Sequence, residues 1–175
     1  MRKPVTVETL KRFMEELAAA SRSPGSVYLT GGATALLLGF RDQTIDIDIK
    51  LDPEPAGAFE AIAVLKNTLD VNVKLASPDD FIPPAADWRE RGRHIASYGK
   101  LQFFHYDLAL QTLSKLERGH AQDLEDARSF VRGGFVSTDE LKKLFEQIRP
   151  ALIRYPAVDP VEFERKLKTF LKDIE

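Results

Sequence analysis

The chain has 175 residues, 43% hydrophobic and 30% charged, with a formal net charge of −2 and no cysteine. That length can bury a core without disulfide or metal staples, and the composition is that of a packed chain, not a disordered one. The near-neutral charge excludes a global basic field for coating nucleic acid, and the missing cysteines exclude a disulfide framework, a thiolate zinc site and a cysteine nucleophile.

The N-terminus, Met-Arg-Lys-Pro, runs into an amphipathic stretch without the pattern of a signal peptide. No apolar run is long enough to span a bilayer, so the expectation is a cytoplasmic protein without a membrane partner. Leu10, Phe13, Met14 and Leu17 recur at helical spacing, with Thr6 placed to cap the helix. Ser, Pro and Gly over residues 21–26 end it, and residues 26–30 read as a short strand. A short Ala- and Leu-rich helix follows over 33–40.

Residues 44–51 alternate strictly: Ile45, Ile47, Ile49 and Leu51 on one face, Thr44, Asp46, Asp48 and Lys50 on the other. This period of two predicts a strand with one buried face. A helix over 54–67 and a strand over 71–75 come next, giving an alternation typical of α/β or α+β folds. Residues 77–88 read as a Pro- and Asp-rich loop, and 94–98 with 101–106 as a hairpin turning at Gly99-Lys100. The remainder reads as helices over 107–118, 121–131, 137–147 and 160–174, with Ser137 and Glu140 spaced as a capping box. The predicted organisation is an α/β part over 1–106 and a helical part over 107–175 packed on it as one compact unit.

Two local features carry chemistry. In Tyr28-Leu29-Thr30-Gly31-Gly32-Ala33-Thr34 a strand breaks at two glycines and opens a helix. Glycine lets backbone N–H groups come close to an anion, so this turn can cradle a phosphate chain; a plain tight turn is the other reading. In Asp46-Ile47-Asp48 the strand period puts two carboxylates on one face, about 7 Å apart at their Cα atoms. They repel each other and Asp is a poor strand former, so the pair needs a cation or donors to offset its cost. Two carboxylates on rigid backbone suit Mg2+, with Mn2+ as the alternative ion and substrate phosphates as further ligands. A merely solvated face is the other reading of the pair.

A Gly-Gly turn, a short helix and then an Asp-x-Asp strand resembles the nucleotidyltransferase superfamily with the DNA polymerase β type of fold. Arg41 and Thr44, in Arg-Asp-Gln-Thr-Ile-Asp-Ile-Asp, resemble the form of this motif in the AbiEii and MenT toxin nucleotidyltransferases. Residues 114–126, Ser-Lys-Leu-Glu-Arg-Gly-His-Ala-Gln-Asp-Leu-Glu-Asp, are similar to the downstream Lys-Leu and Asp-x-x-Asp helices of that group. Residues 77–83 and 88–93 look like those of uncharacterised bacterial and archaeal members. The resemblance covers residues 25–135 and implies an α+β fold, a small mixed sheet flanked by helices with a helical C-terminal part.

It also implies roles. Asp46 and Asp48 would hold Mg2+; Gly31, Gly32, Thr34, Arg41 and Thr44 would receive an NTP. Lys115 would contact nucleotide phosphate and Asp123 would complete the site, with Asp126 a structural partner. The superfamily usually adds a third carboxylate from a later strand, yet residues 71–75 offer only Asn72 and Lys74 on their polar face. Asp70, Asp79, Asp80 and Asp107 are the substitutes, and Asp107 is preferred, although its position also fits a helix N-cap.

The expected function is transfer of a nucleoside monophosphate from an NTP to a hydroxyl of RNA, protein or a small molecule. The resemblance adds a role as the toxin of a toxin–antitoxin pair, with an antitoxin partner. The competing reading is a nucleotide-binding or protein-interaction module of the same fold without full catalytic power. His94, His105 and His120 have no metal-ligand spacing and read as structural or exposed. Arg89, Arg91 and Arg93 alternate, either as a phosphate grip or as a solvated face.

Overall fold

The Thr6 hydroxyl accepts the Thr9 N–H at 3.3 Å, and the helix it caps, α1 (Val7–Ala20), buries Leu10, Phe13, Met14 and Leu17. The computed structural model describes residues 1–175. After α1 come β1 (Gly25–Thr30), α2 (Gly31–Leu37), β2 (Asp46–Leu51), α3 (Ala58–Thr68) and β3 (Asn72–Leu75). β4 (Arg93–Tyr98) and β5 (Leu101–His105) form the predicted hairpin.

The five strands make one mixed sheet in the order β3-β2-β1-β5-β4. β1 runs antiparallel to β2 and parallel to β5, while β2 and β3 are parallel. The fold is α+β, with helices flanking this sheet and a helical C-terminal part. By contacts the chain divides into two units: residues 1–77 with 92–106, and residues 78–91 with 107–175.

In the first unit Val27, Leu29, Ile47 and Ile49 of the sheet are fully buried with Phe13 and Leu17 of α1. Each such side chain contributes roughly 1.5–3 kcal/mol by leaving water. This burial is what fixes the register of β2: a slip by one residue would drive Asp46 and Asp48 into the core.

Several boundaries differ from the pattern-based reading. β2 starts at Asp46, and Thr44 makes only an isolated bridge to Val5. Ile45 therefore stands outside the buried row, 76% exposed. The helix expected from residue 54 begins at Ala58, because Pro53 and Pro55 occupy the preceding turn and Gly57 enters at φ 87°. Pro78–Asp80 forms a single 3₁₀ turn within the expected loop.

The second unit contains α4 (Leu108–Arg118), α5 (Ala121–Arg132), α6 (Thr138–Ile148), a 3₁₀ segment (Arg149–Arg154) and α7 (Pro160–Ile174). α4 is its central helix, in contact with α5, α6 and α7. Gly119, at φ 72°, ends α4 with a left-handed cap that few other residues adopt. Only half of the expected capping box forms: Ser137 Oγ accepts the Glu140 N–H at 3.0 Å, while the Glu140 carboxylate accepts from Arg91 at 2.7 Å. No helix is long and apolar enough to cross a membrane.

Candidate functional site

The strand-to-helix break falls at Gly31, whose φ of 61° explains why glycine stands there. α2 begins at that residue, and its N-cap Thr30 makes no side-chain cap. Antiparallel pairing puts Thr30 opposite Asp48, so the second acidic residue of β2 lies level with the turn. A Cβ on Gly31 would stand 3.0 Å from Asp48 Oδ2. The missing side chain is what admits the carboxylate.

Gly32 is equally constrained. A Cβ there would run into the Thr44 hydroxyl and lie 3.0 Å from Arg41 Nη1. Gly31, Gly32, Arg41, Thr44 and Asp48, separate in sequence, thus meet around one turn in the first unit, and Asp46 shares the strand face of Asp48.

Thr34 is placed differently from a ligand contact. Its side chain is fully buried, and its hydroxyl donates to the Leu29 carbonyl at 3.1 Å. His105 Nδ1 lies 3.1 Å from the same oxygen. Because the hydroxyl proton is already committed, Nδ1–H is the donor and Nε2 carries the lone pair. Thr34 and His105 therefore brace the turn from beneath. Burial, and after it the charge of Arg93, push the His105 pKa down to about 4.

Asp46 is held by β3, its parallel neighbour. Asn72 Nδ2 donates to Asp46 Oδ1 at 2.5 Å and Lys74 Nζ to Oδ2 at 2.9 Å. Burial pushes the Asp46 carboxyl up, but the two hydrogen bonds and the Lys74 charge outweigh it and leave its pKa below the usual value.

The downstream motif forms a second cluster, within the second unit. Lys115, 3% exposed in the last turn of α4, reaches Asp126 Oδ2 at 2.8 Å and Asp123 Oδ1 at 3.5 Å. Arg118 Nη2 also binds Asp123, at 2.8 Å, and Gln122 Nε2 binds Asp126 at 3.2 Å. A spacing of three puts both carboxylates on one face of α5, where they neutralise the buried ammonium. Asp107 caps α4: Oδ1 accepts from the Ala109 and Leu110 N–H groups, and Oδ2 accepts from Arg91 Nε at 2.6 Å. Burial presses its carboxyl up against the pull of Arg91 and the two amides.

This arrangement agrees with a family comparison. A family profile described as a nucleotidyltransferase of unknown function, DUF6036, matches residues 6–168. The chain belongs to that family. No curated protein and no solved structure matches significantly. The DUF6036 match spans the Gly-Gly turn, the Asp-x-Asp strand and the Lys115 helix alike.

Two partnerships in this DUF6036 protein lie outside the motif-based reading. The first is the grip of Asn72 and Lys74 on Asp46; the polar face of β3 was visible in sequence, but its target depends on the pairing of strands 26 residues apart. The second is the ladder from Asp107 through Arg91 to Glu140, which joins three separate segments of the second unit.

Proposed function

We propose that the protein is a Mg2+-dependent nucleotidyltransferase that moves a nucleoside monophosphate from an NTP to a hydroxyl of RNA, protein or a small molecule. The observation that carries this reading is the approach of Asp48 to the Gly31 turn, with Asp46 on the same strand face. Membership of DUF6036 supports nucleotidyl transfer in general.

No group of three or more His, Cys, Asp or Glu side chains is arranged to hold a metal. Two carboxylates nevertheless suit Mg2+, which commonly takes one or two protein carboxylates and completes its shell with water and substrate phosphate. Asp48 and Asp46 are the residues that would hold it. When bound, the ion supplies positive charge against the phosphate oxygens as charge builds up there.

The chain's own groups do the rest. Gly31 and Gly32 let backbone approach the triphosphate without a Cβ in the way, and Arg41 beside them is a guanidinium suited to phosphate. Thr44 packs on Gly32, and Thr34 with His105 keeps the turn rigid, as a preorganised site requires. Lys115 is the proposed phosphate contact and Asp123 its supporting carboxylate. The acceptor oxygen bonds to the α-phosphorus, the bond to pyrophosphate breaks, and the hydroxyl proton passes to a base. Asp107 is proposed for that role, since burial raises its proton affinity against the pull of Arg91 and the two amides.

The likeness of residues 41–48 and 114–126 to the AbiEii and MenT group supports a toxin role with an antitoxin partner. A second reading rests on Asn72 and Lys74, which stand where another carboxylate would complete the acidic set: a module that binds NTP without transferring it. Incubation with labelled NTPs, Mg2+ and total RNA, or with the protein alone, separates the readings. Transfer by the wild type that falls to background in the Asp46→Ala, Asp48→Ala double variant is the expected result. NTP binding without consumption favours the module, and undiminished transfer by the double variant refutes the assigned site.

A further inference from the structure

α5 and α7 both pack on α4 but hardly on each other, and the gap left between them is a cavity of about 240 Å³ within the second unit. Leu116 of α4, Leu124 of α5 and Phe170 of α7 give it an apolar lining, and Leu116 and Phe170 are only 1% and 5% exposed. Drug-sized ligands occupy sites of roughly 300–1,000 Å³, so this one suits a smaller molecule.

The charged groups on the lining favour an anion. Arg128, Arg165 and Lys166 border the cavity against one carboxylate, Asp173. Arg128 pairs with Glu125 at 3.5 Å and Arg165 with Glu162, but neither glutamate lines the cavity, and exposed pairs of this kind hold weakly. Glu162 also feels the Lys166 charge. The one hydrogen bond of Lys166 Nζ goes to the Glu117 carbonyl in the last turn of α4, at 2.6 Å; it fixes the ammonium and leaves two N–H donors for a ligand. Asp173 follows seven residues later on α7, about 10 Å along the axis at the Cα atoms, two turns from that ammonium. We infer that the cavity binds a small organic anion, its apolar body against Leu116, Leu124 and Phe170 and its single carboxylate or phosphate head on Lys166. Such a site involves the second unit alone and is independent of the reaction proposed above. A charged head on a fixed ammonium makes a charge-assisted hydrogen bond, and the apolar body adds burial that a bare inorganic anion lacks.

Amide NMR titrations of the full chain test this with phenylpropionate and phenyl phosphate as probes, phenylpropionamide as the neutral counterpart and inorganic phosphate as the bare head. At least one phenyl anion should bind about fivefold or more tightly than the amide and than inorganic phosphate, with shifts centred on residues 116–128 and 165–173; the tighter of the two identifies the head group. Lys166→Gln should weaken that probe by about fivefold or more, and Lys166→Arg should retain it. Thr169→Trp, which fills the cavity from an exposed position on α7, should abolish binding. The inference is overturned if neither phenyl anion binds, if the amide or inorganic phosphate binds as tightly, if the shifts map elsewhere, or if Lys166→Gln and Thr169→Trp both stay within about twofold of wild type.

Discussion

Acidification should destabilise this protein through His105, and the size of the effect follows from its surroundings. The imidazole is 4% exposed and donates from Nδ1 to Thr34, and Arg93 stands directly across from it on β4. Burial first, and the Arg93 charge second, lower its pKa from 6.5 to about 4. A base with a depressed folded pKa stays neutral in the fold while the unfolded chain takes up a proton, so stability is lost as pH falls below the unfolded value. The loss begins near pH 6.5 and is complete near pH 4, with a total of about 3 kcal/mol for a shift of that size. At pH 5 about 2 kcal/mol should be gone relative to pH 8. Urea unfolding at both pH values, for wild type and His105→Asn, isolates this contribution, because the amide keeps a donor for Thr34 but does not titrate. Wild type should lose about 2 kcal/mol more than the variant. Parallel losses in the two proteins would refute the assignment of a buried neutral imidazole beneath the turn.

Gly32→Ala should cost about 1–3 kcal/mol of stability, since the new Cβ meets the Thr44 side chain, and adding Thr44→Ala should recover part of it; thermal denaturation of the three variants reads this coupling. Asp126→Asn should cost about 3–5 kcal/mol in denaturant unfolding, because it removes the closest partner of the buried Lys115 ammonium, and Asp123→Asn should cost less because that bond is longer. Asp107→Asn retains a capping oxygen but gives up the carboxylate oxygen that accepts from Arg91 Nε, so its stability should fall by about 1–3 kcal/mol while nucleotide transfer is lost. Retained transfer in this variant would leave Asp107 a helix cap and the partner of Arg91, with no part in the reaction.

The acidic pair and the glycine turn were legible because both are written in local code. Alternation of Ile47 and Ile49 with Asp46 and Asp48 sets which side of β2 is buried, and Gly31 and Gly32 interrupt a strand whose pattern is otherwise plain. The same code misassigned Ile45, since alternation continues past the last residue that the sheet accepts. It also placed the start of α3 too early, since two prolines at 53 and 55 hold the chain in a turn before any helical bond forms. Thr34 looked like a phosphate contact from its place after the glycines, but its direction into the core depends on Leu29 and His105, which local spacing does not encode. The reach of Arg91 to Asp107 and Glu140 is illegible for the same reason.

The sheet order explains how β3, as well as the motif strand, shapes the electrostatic character of the site. β2 has two neighbours. On one side β1 delivers the glycine turn level with Asp48, and on the other β3 delivers Lys74 and Asn72 to Asp46. One carboxylate is therefore aligned with the turn while the other is tied to an edge strand, although only one residue separates them in sequence. An Asp-x-Asp pattern specifies a shared face and nothing about charge balance; that balance depends also on the residues opposite, through strand pairing. A chain with a carboxylate at position 74 would present the same motif with a net charge more negative by two, and Asp46 would lose the ammonium that holds it even if every residue from 28 to 51 were unchanged.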